Sequence, residues 1–309
     1  MLKRTTLQLF LMIAFLIINS SANSQTAEEY YKQGVAKYKV GEYKVAIEAF
    51  NKAIELNPKD PHAYYNRGSI KDDLKDYAGA IDDYNKAIEL NPEGIDRIYY
   101  NRGLTKTKLD DYVGALGDSN KALEYNPTPK KAFMCRGLVK SYLKDYTGAL
   151  KDLDRSIELD PQFAEAYYDR GITKKEQGLN IEALGDFNKA IEIDSEFAFA
   201  YLNRGAVREL LTDKRGALED YNKAIEINPK YGSAFFNRGS LKGKFHDYKG
   251  AVIDLTKAIE INSKDAEAYF LRGCAKSILG KVDSACADWH TALLLGSSHA
   301  NEKIELRCK

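Results

Sequence analysis

Residues 63–92 read AYYNRGSIKDDLKDYAGAIDDYNKAIELNP, and almost everything after the first two dozen residues of this 309-residue chain copies that pattern. Within it Tyr64, Arg67, Gly68 and Lys71 fall at helical spacing, as do Ala80, Tyr84 and Ala87. The first set predicts helix A over 62–74 and the second helix B over 78–90. Asn91-Pro92 stops helix B, because proline disfavours helical geometry in the residue before it and cannot itself continue the ladder. A single antiparallel pair of this size cannot bury its own apolar face, so the copies must stack.

Working outward, glycine recurs at Gly34, Gly68, Gly103, Gly137, Gly171, Gly205, Gly239 and Gly273, and alanine at Ala46, Ala80, Ala115, Ala149, Ala183, Ala217, Ala251 and Ala285. The spacing is 34 throughout, apart from one of 35 between the second and third copies. The extra residue falls in Glu93–Asp96, a linker, where an insertion is tolerated. Eight copies then occupy 27–295. A mid-helix glycine costs about 1 kcal/mol relative to alanine, so a whole column of them implies that another backbone passes too close for a side chain. Large aromatics, Tyr64, Tyr99, Phe133 and Tyr167 among them, fill the neighbouring space as core.

A 34-residue helix–turn–helix unit with an aromatic, Gly four residues on, then Ala, an aromatic, Ala and Pro resembles the tetratricopeptide repeat. The resemblance implies an all-α, right-handed superhelical solenoid with helices A lining the concave face. Eight units make about one superhelical turn by that likeness. It also implies a non-enzymatic scaffold that binds a peptide or protein segment in the groove. One position departs from the family: where leucine usually precedes the glycine, this chain has Arg67, Arg102, Arg136, Arg170, Arg204, Arg238 and Arg272.

Helix B carries a matching acidic column, Asp83, Asp118, Asp152, Asp186, Asp220, Asp254 and Asp288. The first copy has Gln33 and Ala49 and so lacks both partners. Joint presence and joint absence predict Arg–Asp pairs that bridge helices A and B within a copy. A ladder for an acidic ligand is the rival reading. A further cation follows each arginine by one turn, as in Lys71, Lys106 and Lys174, and is expected to be solvated or paired with the same aspartates.

The residue before the arginine is asparagine in four copies, Asn66, Asn101, Asn203 and Asn237, and Lys32, Cys135, Asp169 or Leu271 elsewhere. The resemblance places this column in the groove, where an amide supplies both donor and acceptor to a peptide backbone. Beside it stand Tyr65, Tyr100, Tyr168 and their equivalents, a fitting lining for a peptide. Asn66 and Asn101 match asparagines of the family's two-carboxylate clamp, but the rest of that constellation is absent and its specificity is not carried over. Phe163, Phe197 and Tyr231, 34 residues apart, precede helix A as hydrophobic staples or as an apolar groove stripe.

The two ends differ from the repeats. Lys3 and Arg4, the apolar run Leu7–Ile18 and a small polar segment to Ser24 follow the order of a secretory signal peptide, residues 1–24, with cleavage near 22–24. The run falls short of the ~20 residues of a bilayer span. The mature chain is therefore expected to be exported, periplasmic or extracellular, without membrane insertion. An uncleaved anchor is the alternative. At the other end 296–309 should form a capping helix, with Ser297 or Ser298 as its N-cap and Ile304 and Leu306 facing inward. Cysteines are Cys135, Cys274, Cys286 and Cys308. An exported chain permits a disulfide; Cys286–Cys308 would tie the cap to the last helix B, Cys274–Cys308 is a second pairing, and no bond is a third outcome. A zinc site on Cys286, His290 and Cys308 has weak spacing.

Formal net charge is +1, which gives no electrostatic reason to expect nucleic acid. Four scattered histidines and no nucleophile elbow or phosphate loop point away from an enzyme and from any cofactor. The competing function is a structural or assembly subunit of an envelope or secretion complex, using its convex face or edges.

Overall fold

The computed structural model describes residues 25–90 and 92–308, so the expected signal segment 1–24 lies outside the described residues. Among those described there are 17 helices and no strand. They are α1 (Ala27–Lys39), α2 (Tyr43–Leu56), α3 (Pro61–Asp73), α4 (Tyr77–Glu89), α5 (Ile95–Lys108), α6 (Tyr112–Tyr125) and α7 (Lys130–Tyr142) in a first compact unit that ends at Leu143. The second unit, from Lys144, holds α8 (Tyr146–Leu159), α9 (Ala164–Glu176), α10 (Asn180–Ile193), α11 (Ala198–Leu210), α12 (Lys214–Ile227), α13 (Gly232–Lys244), α14 (Tyr248–Ile261), α15 (Ala266–Ile278), α16 (Val282–Leu294) and α17 (His299–Arg307). Odd-numbered helices up to α15 are the A helices and even-numbered ones the B helices. In each unit an A helix packs most closely on the B helix after it, and that B helix on the next A.

Each pair is built the same way. Helix A ends at a residue with positive φ: Gly41, Gly178 and Gly280 where glycine is present, and Lys75, Asp110, Lys144, Thr212 and His246 where it is not. This left-handed residue reverses the chain. Where that residue is not glycine, helix B then starts under an aspartate, as where Asp76 accepts from the Gly79 N–H at 3.1 Å and Asp247 from that of Gly250 at 2.9 Å; after the glycine turns, Glu42, Leu179 and Lys281 precede helix B without a side-chain cap bond. The alanine column is fully buried at Ala46, Ala80, Ala115, Ala149, Ala183, Ala217, Ala251 and Ala285.

The glycine column faces something other than a bare backbone. A Cβ on Gly205 would lie 2.7 Å from the Tyr221 ring, and one on Gly273 would meet the Trp289 ring at 2.6 Å and the Ala285 carbonyl at 3.1 Å. At Gly34, Gly68, Gly171, Gly205 and Gly273 the nearest neighbour is the ring of helix B's aromatic, whereas Gly103 meets the Ala115 carbonyl and Asp118 and Gly239 meets Leu255 and Asp254.

At the C-terminus α17 packs on α16 around Ala285, Trp289, Ala292 and Ala300. Ile304 joins that cluster, whereas Leu306 is exposed and Ala300 takes the inward place expected of it. Ser298 precedes the helix with helical backbone angles and makes no side-chain cap bond, since capping requires the extended conformation it lacks.

Candidate functional site

The sequence's charged column and its amide column do different work. Arg67 on α3 donates from Nε to Asp83 Oδ2 at 2.9 Å and from Nη2 to Oδ1 at 2.6 Å, a two-point grip on α4. The same fork joins Arg102 to Asp118, Arg170 to Asp186, Arg204 to Asp220, Arg238 to Asp254 and Arg272 to Asp288. The aspartates are buried. Each also takes the following cation: Lys71 reaches Asp83 at 2.8 Å, Lys106 reaches Asp118 at 2.8 Å and Lys276 reaches Asp288 at 2.8 Å. Beneath each guanidinium lies the aromatic three residues earlier, Tyr64 at 5.6 Å from Arg67 and Tyr201 at 5.3 Å from Arg204. Apart from buried Phe235, that aromatic column is half-buried, with Tyr30, Tyr64, Tyr201 and Tyr269 packed against the core. Arg136 belongs to the first unit, where it lies over Phe133 and donates to Asn120 at 3.1 Å; Asp152 is buried in the second.

A third bond escaped sequence reasoning. The remaining guanidinium nitrogen reaches back to the previous B helix: Arg67 Nη1 to Asn51 at 2.6 Å, Arg170 to Asp154 at 2.6 Å, Arg204 to Asn188 at 2.8 Å and Arg238 to Asn222 at 2.7 Å. The signal was present as a polar column 16 residues before each arginine (17 across the longer interval), running Asn51, Asn85, Asn120, Asp154, Asn188, Asn222 and Thr256. One arginine thus holds three helices.

The asparagine column lies between successive A helices, half-buried. Asn66 Nδ2 donates to the Tyr31 hydroxyl at 3.0 Å, Asn101 to Tyr65 at 2.7 Å and Asn203 to Tyr168 at 3.1 Å. Asn237 has Leu202 in the corresponding place and, among the described residues, makes no such bond. Asn203 Oδ1 accepts from Lys175 at 3.3 Å, while Oδ1 of Asn66 and of Asn101 accepts no hydrogen bond among the described residues. Lys244 to Glu209, Tyr38 to Asp73 and Thr105 to Asp72 extend this polar ladder between neighbouring A helices. Tyr100, next to Asn101, lies half-buried against the Ala115–Val139 core.

Where other residues occupy the asparagine column the consequences differ. Cys135 is fully buried beside the Ser119 hydroxyl, not on an open surface. Asp169 is buried too, and desolvation, helped by the charge of Glu165, pushes its carboxyl up to about 7. Phe163, Phe197 and Tyr231 are the N-caps of α9, α11 and α13. Phe197 wedges against Tyr168 with ring centroids 5.0 Å apart, and Tyr231 against Phe199 at 5.1 Å. Burial raises the Tyr231 hydroxyl to about 12.

Cys286 and Cys308 form a disulfide that ties α17 to α16. Cys274 stays a thiol, raised by burial, and His290 Nδ1 lies 2.8 Å from the Cys286 carbonyl oxygen. Among the described residues no group of three or more His, Cys, Asp or Glu is placed to hold a metal, and no helix is long and apolar enough to cross a membrane.

Family models match in three places: Tetratricopeptide repeat over 31–95, TPR repeat over 137–178 and Tetratricopeptide repeat over 200–231. Among solved structures, a tetratricopeptide repeat protein from Parabacteroides merdae ATCC 43184 is 23% identical, with 82% of this chain and 99% of that one covered and a TM-score of 0.67. The Cut9–Hcn1 hetero-tetramer of the APC/C is 13% identical over 90% of this chain and 55% of that one, at 0.69. Pseudomonas aeruginosa pilF is 18% identical over 68% and 96%, at 0.62. At these identities the likeness speaks to the fold. No curated protein sequence matches the chain. The matched segments and the stacked helix pairs agree: the chain carries tetratricopeptide repeats.

Proposed function

We propose that the chain is a non-enzymatic interaction scaffold that takes a peptide or protein segment against the face formed by its A helices. The tyrosine–asparagine ladder carries this reading. It fixes the amides of Asn66 and Asn101 through Nδ2 and leaves their Oδ1 open to a peptide N–H. The amide is thereby oriented before the ligand arrives, which lowers the ordering cost of binding. The Arg–Asp column is not part of that surface, because its charges are spent inside the stack. Eight repeats over 27–295, a cap over 296–309 and export after removal of 1–24 complete the proposal. The Cys286–Cys308 disulfide favours an oxidising compartment.

The test is affinity capture from an exported fraction with the wild-type chain and with Asn101→Ala/Asn203→Ala, both checked for folding by circular dichroism. The folded double variant should lose the captured protein. Capture that survives in it would move the function to the convex face or the edges, as expected of an assembly subunit.

A further inference from the structure

The first copy is open at the place where the other seven hold a guanidinium. In those seven the arginine lies 5.3–5.6 Å from the centroid of the ring three residues before it, from Arg67 over Tyr64 to Arg272 over Tyr269. Tyr30 is the equivalent ring of α1, and among the described residues no cation lies over it. Where Arg67 and Asp83 stand in the second copy, the first has Gln33 and Ala49, a pair found in no other copy. A cavity of about 500 Å³ opens there, lined by Tyr30 and Gln33 of α1 and by Glu48, Ala49, Asn51 and Glu55 of α2. From the second copy on, the fork also reaches the B helix before it, as Arg67 reaches Asn51. No helix precedes α1 among the described residues to close that side.

The charge of the cavity fits a cation. Lys52 and Glu55 cancel, joined at 2.7 Å. Arg67, which bonds Asn51 from Nη1, has its charge met by Asp83. That leaves Glu48, which is exposed and makes no ion pair among the described residues. The wall therefore offers an aromatic face, an unpaired carboxylate and the side-chain carbonyl of Gln33. A guanidinium suits all of these, since its plane stacks on an aromatic ring and its forked N–H groups reach several acceptors together. An ammonium is a point charge that uses fewer of them, and a neutral group of the same shape has no charge for Glu48 to attract.

We propose that the first copy is a receptor site for an arginine side chain of a partner protein. The guest guanidinium would lie over Tyr30 as the chain's own arginines lie over the equivalent rings, with its charge met by Glu48 in place of the aspartate that Ala49 replaces. None of the lining residues belongs to the tyrosine–asparagine ladder, so the site is independent of the groove reading and goes beyond it.

The probes are acetyl-arginine methylamide and its lysine and citrulline counterparts, titrated against the isotope-labelled full chain by NMR. Citrulline keeps the shape of arginine without its charge. The arginine probe should shift the amide resonances of α1 and α2, bind at least about fivefold more tightly than the lysine probe and weaken as salt rises. The citrulline probe should leave those resonances unmoved. Glu48→Lys, an exposed change that keeps the fold, should weaken the arginine probe by about tenfold or more. Gln33→Arg/Ala49→Asp supplies the fork of the later copies within the chain itself, and should abolish the shifts and raise the melting temperature. Absence of shifts in α1 and α2, equal binding of citrulline, or binding unchanged in Glu48→Lys overturns the proposal. Self-association of the chain in sedimentation, lost in Glu48→Lys, would give the place to a second copy and likewise overturn it.

Discussion

Asp169 shows how far one residue departs from its column. Asparagine at that place keeps its charge state at any pH, whereas the Asp169 carboxyl is buried and holds its proton up to about 7. In the unfolded chain it loses the proton near the ordinary carboxylate value of ~4. Between those values the folded state binds more protons than the unfolded one, so stability falls as pH rises from about 4 to 7 and stays lowered above that. Asp169→Asn should remove this slope. Urea unfolding at pH 5 and pH 8 should find the variant gaining about 1–3 kcal/mol on wild type between the two. An equal difference at both values would mean that Asp169 is already ionised at pH 5.

A fork arginine joins three helices at once. Arg170 grips Asp186 on its own B helix, reaches Asp154 on the B helix before it and lies 5.4 Å from the Tyr167 ring. Arg170→Ala would leave Asp186 buried with Lys174 as its remaining cation. Removing one partner of a buried pair costs about 3–5 kcal/mol, and the partial exposure of Arg170 reduces this to about 2–4 kcal/mol. Thermal melting should show that loss while peptide binding stays within about twofold of wild type. A variant that melts like wild type but no longer binds would return the column to the ligand-ladder reading. The Arg–Asp columns could be matched by eye because both partners vary together, down to Gln33 and Ala49. The third bond could not, because Asn51 and its equivalents look like any solvated helix B position until the stack places them beside the next arginine. Nor do Lys75 or His246 look like left-handed turn residues, since glycine holds that place in Gly41 and Gly178 and only the chain reversal makes it necessary.

Across the molecule, stability should follow the repeat arithmetic, with each pair held by its own contacts and those to its neighbours. The pair α1–α2 is the poorest in these terms. It has no arginine fork, no buried aspartate and a neighbour on one side only among the described residues. Native-state hydrogen exchange should find α1 and α2 opening at lower free energy than α3 and α4. Equal protection would show that the Phe50 core beneath Gly34 stabilises the first pair as strongly as the ion pairs stabilise the second. The fold class was legible in the 34-residue period because two small-residue columns survive in every copy. The surface that meets a ligand was less so. The sequence places Asn66 and Tyr65 on one helix A, but only the stack shows that Asn66 bonds Tyr31 and that Asn101 bonds Tyr65.

The back-reaching arginine bond also bears on how such a chain can grow. Wherever the copies keep the 34-residue spacing, a window of that length carries one fork arginine and one acceptor for the fork arginine that follows. A tandem gene duplication would therefore deliver a helix pair whose fastenings match its neighbours on both sides from the first generation. No compensating substitution would be needed before the longer protein folded. Only the 35-residue interval departs from this frame, and there Gly94, at φ 72°, absorbs the added residue in a turn ahead of α5. Change by whole units is the easy route for this chain, and change by single residues within a linker is the tolerated exception.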